Sequence, residues 1–203
     1  MHIRISPTPE QQRLTELVAA ARMLSTYPEI DWGSTRWEIR QHDRSRRAHN
    51  RDARALVFAR RRVKQADPWI PFAAPYDDFA KTLLRMRASL RGVNSSSQQT
   101  MLSGLRLLYE PLSRSQQADP TGLTRAHFQM AADDARRDCA ETSAYVIGQA
   151  LSEIVGFLNT HRLTRVRIPF RNPFARPEPG DRLDPVSQIA GMLKMPSPMH
   201  WKR

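Results

Sequence analysis

Cysteine is almost missing from this chain: Cys139 stands alone among 203 residues. One cysteine excludes an internal disulfide and a multi-cysteine zinc site, and it fits a reducing cytoplasm. Glycine is scarce as well. The eight residues are scattered singly, so no glycine-rich phosphate loop can form, and the chain has neither a serine elbow nor a His-Glu-x-x-His pair. Long apolar runs are absent too. Glu10, Arg13 and Glu16 interrupt the N-terminus, and nothing approaches the roughly 20 apolar residues of a membrane span. The expectation is a soluble, intracellular protein with no membrane partner, no small-molecule substrate, no metal and no cofactor.

Positive charge is abundant. Thirty-two Lys and Arg against 20 Asp and Glu leave a net charge of +12, and nearly all the basic residues are Arg. The planar guanidinium fork suits phosphate oxygens, so a polyanion partner follows naturally; an arginine-rich composition without such a partner is the alternative. Apolar residues make up 40% and charged residues 26%, which is ordinary globular usage. From Arg36 to Lys64, ten Arg and one Lys meet only Glu38, Asp43 and Asp52. Trp37-Glu38-Ile39 and Leu56-Val57-Phe58-Ala59 read as two short strands bracketing a basic loop, or the stretch is a solvated arm that orders on a phosphate backbone. His42 and His49 lie inside it without Cys or acidic companions at ligand spacing, so no metal role is expected there.

Helical signals dominate the rest. Thr8-Pro9-Glu10-Gln11 combines an N-cap, a proline at the first helical position and a glutamine that reaches back. Leu14, Leu17, Val18, Ala21 and Leu24 then share one face of a helix ending near Ser25. Asp67-Pro68-Trp69-Ile70-Pro71 breaks the chain, and beyond it the spacing predicts four amphipathic helices. The first, about Tyr76 to Arg91, sets Phe79, Leu83, Met86 and Leu90 on its seam, leaves Lys81, Arg85 and Arg87 off it, and has Gly92 as C-cap. The second opens at Asn94-Ser95-Ser96-Ser97-Gln98-Gln99 and runs through Met101, Leu105, Leu108 and Leu112. The third takes Thr124 as N-cap, with Leu123 and Phe128 as a hydrophobic staple. The fourth starts near Glu141 or Thr142 and continues through Ile147, Leu151, Ile154 and Leu158. Seven of the fifteen prolines lie between Pro169 and Pro198, so that end is extended or linker-like, with a short helix at Val186 to Leu193.

Few of these residues suggest catalysis. Asp77-Asp78 and Asp133-Asp134 resemble metal-binding carboxylate pairs, but placement in the first turns of helices explains them through the helix dipole. Trp69 reads as a packing anchor, or as a stacking platform beside the basic arm. A binding surface remains. Helix N-termini offer free backbone N–H groups to phosphate, and short hydroxyl side chains add donors there. Ser95, Ser96 and Ser97 open the second helix of the bundle, and Thr142 and Ser143 open the fourth. Gln98, Gln99 and Gln149 on the same helices are candidates for reading adenine edges. Taken singly, each hydroxyl reads as a plain helix cap. Two such starts in one basic bundle turn the reading toward DNA.

The segment from Pro75 to Pro173 resembles the core-binding, SAM-like helical domain of the phage-integrase or tyrosine recombinase family. The likeness rests on Phe79-Ala80-Lys81 at the first helix and on Ser97-Gln98-Gln99-Thr100 leading to Leu105-Arg106-Leu107-Leu108 at the second. It continues with Thr142-Ser143-Ala144-Tyr145, Gly148, Leu151, Ile154 and Phe157-Leu158 at the fourth, and with the Asn172-Pro173 exit. The basic segment from Trp37 to Arg62 is similar, less closely, to the N-terminal region of some integrases of mobile elements.

The resemblance implies a mainly α chain in three parts. Residues 1–70 form an N-terminal helix plus a basic arm or small strand-containing module, 71–172 a SAM-like four-helix core-binding domain, and 173–203 a proline-rich linker or tail. Its implied partners are duplex DNA at a recombination site, with further recombinase protomers beside it, in a bacterial cytoplasm on the nucleoid. The second and fourth helices would lie near the major groove. Lys81, Arg85, Arg106, Arg165 and Arg167 are the expected phosphate contacts, and Ser95, Ser96, Gln98, Thr142, Ser143 and Gln149 the groove-facing residues. The family's catalytic domain supplies two arginines, a lysine, histidines and a nucleophilic tyrosine. Here no tyrosine follows Asn172, since Tyr27, Tyr76, Tyr109 and Tyr145 all lie upstream, so this chain alone is not expected to cleave DNA. Met199-His200-Trp201-Lys202 requires codons that spell alanine-leucine-glutamate in a neighbouring frame, which suits a frameshifted or truncated recombinase gene. Two other readings stay open: an RNA-binding accessory protein acting through the arm, and a helical protein-interaction module.

Overall fold

The computed structural model describes residues 6–39, 42, 55–62, 64, 66–114 and 118–177. The arginine-rich stretch 40–54, His42 excepted, and the tail with the helix expected at Val186 to Leu193 lie outside the described residues. The chain is mainly helical, with α1 at Pro9–Arg22, α2 at Tyr76–Arg91, α3 at Ser95–Arg114, α4 at Arg125–Asp138 and α5 at Glu141–Thr160. Between α1 and α2 lie two short strands, β1 at Arg36–Glu38 and β2 at Ala55–Val57, and a 3-10 turn at Pro120–Gly122 precedes α4. None of the described helices is long and apolar enough to cross a membrane.

Local chemistry sets each helix start. Thr8 and Gln11 form the reciprocal cap expected of them, with Gln11 N–H donating to Thr8 Oγ1 at 3.3 Å and Thr8 N–H to Gln11 Oε1 at 2.9 Å. Ser97 N–H donates to Asn94 Oδ1 at 2.9 Å and so caps α3. Gly92 ends α2 at φ 77°, a conformation that carries no Cβ penalty only in glycine. Leu123 and Phe128 are both buried at the head of α4.

The α4 cap is titratable. Thr124 N–H donates to Nδ1 of His127 at 3.1 Å, and burial pulls the pKa of that imidazole below its ordinary value of 6.5. A depressed folded pKa means that the unfolded chain takes up the proton first. The cap's contribution is therefore complete above the ordinary value and is lost as pH falls through the folded one. His127→Gln keeps the reach-back acceptor. It should remove an acid-side loss of about 1 kcal/mol or less, read as the shift in urea midpoint between about pH 7 and about pH 5.

Helix α3 lies at the centre, with its apolar face of Met101, Leu105, Leu108 and Leu112 buried among α2, α4 and α5. The two strands pair antiparallel, Trp37 opposite Leu56 and Glu38 opposite Ala55, each starting one residue before its predicted position. Trp37 is fully buried, and its ring centroid lies 5.9, 5.7 and 4.8 Å from those of Tyr27, Trp32 and Phe58. Buried residues of α1, of the hairpin and of the four following helices form one continuous cluster that runs across residue 70.

Two details depart from the periodicity. Leu90, assigned to the α2 seam, is 83% exposed, and residues 89–92, the last turn and its cap, are exposed with it. Asp133 and Asp134 lie in the second half of α4, not its first turns, and face Arg136 and Arg137 one turn on. Their placement is therefore explained by i,i+3 ion pairing.

After α5 the chain reverses at Arg162 (φ 51°) and returns along the same helix. Asn159 is hydrogen-bonded twice to the backbone of Ile168, both at 2.9 Å, and Asn172 Nδ2 donates to the carbonyl of Tyr145 at 3.1 Å. Asn172 can sit so close only because residue 148 is glycine: a Cβ there would lie 2.0 Å from Asn172 Oδ1. The segment at 165–174 is thus a strap running antiparallel to α5.

Candidate nucleic-acid interface

Helices α3 and α5 pack against each other with their first turns flanking a shared groove of about 450 Å³. Ser96, Gln99, Thr100 and Ser103 line it from α3, and Thr142, Ser143, Val146 and Ile147 from α5. The spacing explains the membership, since residues three and four apart share one helix face. Ser96, Thr142 and Ser143, singled out in the sequence, are exposed and come together here. Thr100, Ser103, Val146 and Ile147 were not singled out. Their i,i+4 relation to Ser96, Gln99, Thr142 and Ser143 was the available signal.

Beside the groove, Gln99 Nε2 donates to the carbonyl of Ala55, the first residue of β2. Both ends of the arginine-rich stretch are tied down there, because Ala55 pairs with Glu38. On the α5 side, Gln149 is exposed two turns beyond Thr142, and its Nε2 donates to the Tyr145 hydroxyl at 2.9 Å.

The strap and the residues on either side of it carry charge of one sign. Arg162, Arg165, Arg167, Arg171 and Arg176 are all exposed, no acidic residue occurs from 161 to 177, and none of the five forms an ion pair with a described carboxylate. Other arginines are committed. Arg87 and Arg91 both bond Glu153, and Arg60 forms a fork on Glu110 that raises its pKa.

Five of the residues expected at the interface lie elsewhere. Lys81 is 1% exposed, its ammonium held by Asp77 and the carbonyl of Trp32. Arg85 is buried with Nη2 on the carbonyl of Leu24 at 2.6 Å, and burial lowers its pKa. Arg106 donates to the carbonyls of Ala59 and Val57 at 3.2 and 2.8 Å; burial first, and then Arg62, bring it down to about 10, which still leaves it charged at neutral pH. Ser95 is buried at the α3 start, and Gln98 is fully buried with Nε2 on the carbonyl of Leu84 at 3.3 Å. For Lys81, Arg85, Arg106 and Gln98 a backbone carbonyl of another segment or helix covers the face that helical spacing left open.

No family model, curated protein or solved structure matches this chain. Among the described residues no three His, Cys, Asp or Glu side chains gather as a metal-ion site. Trp69 takes a third role besides the two expected of it. Its ring is held by the guanidinium groups of Arg62 at 4.0 Å and Arg106 at 5.0 Å, which links the arm's end to α3.

Proposed function

We propose that this chain is a DNA-binding module that grips duplex DNA with the mouth of the α3/α5 groove and the arginine strap, and that it performs no strand chemistry of its own. One observation carries the reading: the hydroxyl-bearing starts of two helices share a groove. Their backbone N–H groups and hydroxyls suit phosphate oxygens at its rim. Arg165 and Arg167, exposed on the strap and without an ion pair to a described carboxylate, supply positive charge toward the other end of α5, where a duplex lying along the helix would pass. This is the arrangement expected of the core-binding, SAM-like part of a tyrosine recombinase, and the chain's place in such a protein belongs to the same proposal. Duplex DNA is the preferred partner over RNA because the groove belongs to the packed helices and not to the arginine arm.

The test is a fluorescence anisotropy titration of the full chain against a duplex of about 30 base pairs over a salt series, with duplex and single-stranded RNA as competitors. Log affinity should fall steeply with log salt. Arg165→Ala with Arg167→Ala should flatten that slope by about two, one phosphate each. Thr142→Glu suits a helix N-terminus and so spares the fold, yet it sets a carboxylate at the groove mouth and should weaken duplex binding at least about tenfold. RNA outcompeting DNA, or indifference to all three changes, overturns the reading.

A further inference from the structure

Resting on the DNA-binding reading, we propose that Val146 makes the module selective for thymine, packing its side chain on the C5-methyl group of an A·T pair in the major groove. The lining of the groove separates two kinds of contact. Other clefts on the molecule carry charged walls: Arg22, Asp78 and Asp119 in one, Arg60, Arg61 and Glu110 in another, Arg136, Glu141 and Arg176 in a third. The α3/α5 groove is lined by hydroxyls, one amide and two aliphatic side chains, with no charged residue. A phosphate that entered it would leave its charge without a cationic side chain. The uncharged edge of a base pair meets no such penalty.

Val146 decides which edge. It is 45% exposed in the second turn of α5, and with Ser96, Thr142 and Ser143 it is one of the exposed residues of the lining, so an aliphatic side chain stands among hydroxyls where a base pair would first meet the groove. In the major groove only thymine presents an apolar group, its methyl, and an aliphatic side chain is its natural contact. Thr142, Val146 and Gln149 fall on one stripe of α5 at i, i+4 and i+7. Gln149, oriented through the Tyr145 hydroxyl, carries an amide that can pair with the N6 and N7 edge of adenine. An aliphatic and an amide side chain in succession therefore match the two halves of A·T pairs. A G·C pair offers neither partner.

The experiment selects duplexes bound by the full chain from a library with a random 20-base-pair centre, then replaces each thymine of the preferred duplex by uracil, which removes only the methyl. One position should lose about fourfold in affinity, the effect of burying a single methyl group. Val146→Ala should keep its thermal stability, since the side chain is half exposed, should fall about fourfold in affinity for the thymine duplex, and should bind the thymine and uracil duplexes equally. Absence of salt-sensitive duplex binding overturns the DNA reading and this inference with it. Duplex binding in which no uracil substitution matters, or in which Val146→Ala still discriminates at that position, overturns this inference alone.

Discussion

Replacing Trp37 by alanine should lower the unfolding free energy by about 4 kcal/mol, within the range for emptying a large aromatic site. Trp37 is fully enclosed by Tyr27, Trp32 and Phe58, and it joins β1 to the loop after α1. Its indole Nε1 is buried without a hydrogen-bond partner among the described residues. Trp37→Phe therefore deletes an unsatisfied donor together with part of the ring, and it should lose far less than the alanine variant. Urea unfolding followed by far-UV circular dichroism gives both numbers and a third result. Because the buried cluster runs without a break across residue 70, the wild-type chain should unfold in a single transition. A Trp37→Ala variant that melts its first 70 residues separately, leaving the midpoint of the helices unchanged, would show that the two parts are energetically independent.

Lys81→Ala is expected to destabilise the fold by about 3 kcal/mol and to leave the salt dependence of DNA binding unchanged in the folded protein. The ammonium holds Asp77 and the Trp32 carbonyl and lies 5.4 Å from the Phe58 ring centroid, so its loss strands a carboxylate beside the hairpin. Burial already raises the Asp77 pKa, and Lys81 opposes that rise. Without Lys81 the carboxyl should move further up. A carboxyl with a raised folded pKa binds more protons folded than unfolded, so the stability of the variant should fall as pH climbs from the ordinary value of 3.8 through the raised one. Lys81→Met with Asp77→Asn removes both charges and should recover much of the loss. If Lys81→Ala instead keeps its stability and flattens the salt slope, Lys81 contacts phosphate and its buried placement is wrong.

The contrast between Lys81 and Arg165 shows where sequence reading reaches its end. Both were expected to contact phosphate, Lys81 as a basic residue off an apolar seam and Arg165 beyond the last helix, and only Arg165 is exposed. Lys81, Arg85 and Arg106 lie on faces that helical spacing marks as open. Those faces are closed by carbonyls 47 to 61 positions away, from Trp32, Leu24, Val57 and Ala59. Periodicity along one helix carries no information about a hairpin that folds over it. Capping behaves differently because its determinants lie within a few residues of one another. Thr8 with Gln11 and Leu123 with Phe128 were legible for that reason, whereas at α3 the N-cap was expected with a Gln three residues on and is instead Asn94, bonded to Ser97. The groove was half legible: local hydroxyl clusters announced Ser96, Thr142 and Ser143, but their meeting depends on how α3 packs on α5.

The strap also has a mechanical consequence. Tension applied through the chain beyond Pro177 reaches Phe174 and Asn172 first, then the two bonds between Asn159 and Ile168, and only afterwards the end of α5. Each anchor must yield before the next takes load. Gly148, by admitting Asn172 into contact with the helix, thus serves as the seat of a strain relief, like the clamp that keeps a pull on a cable away from its soldered joint.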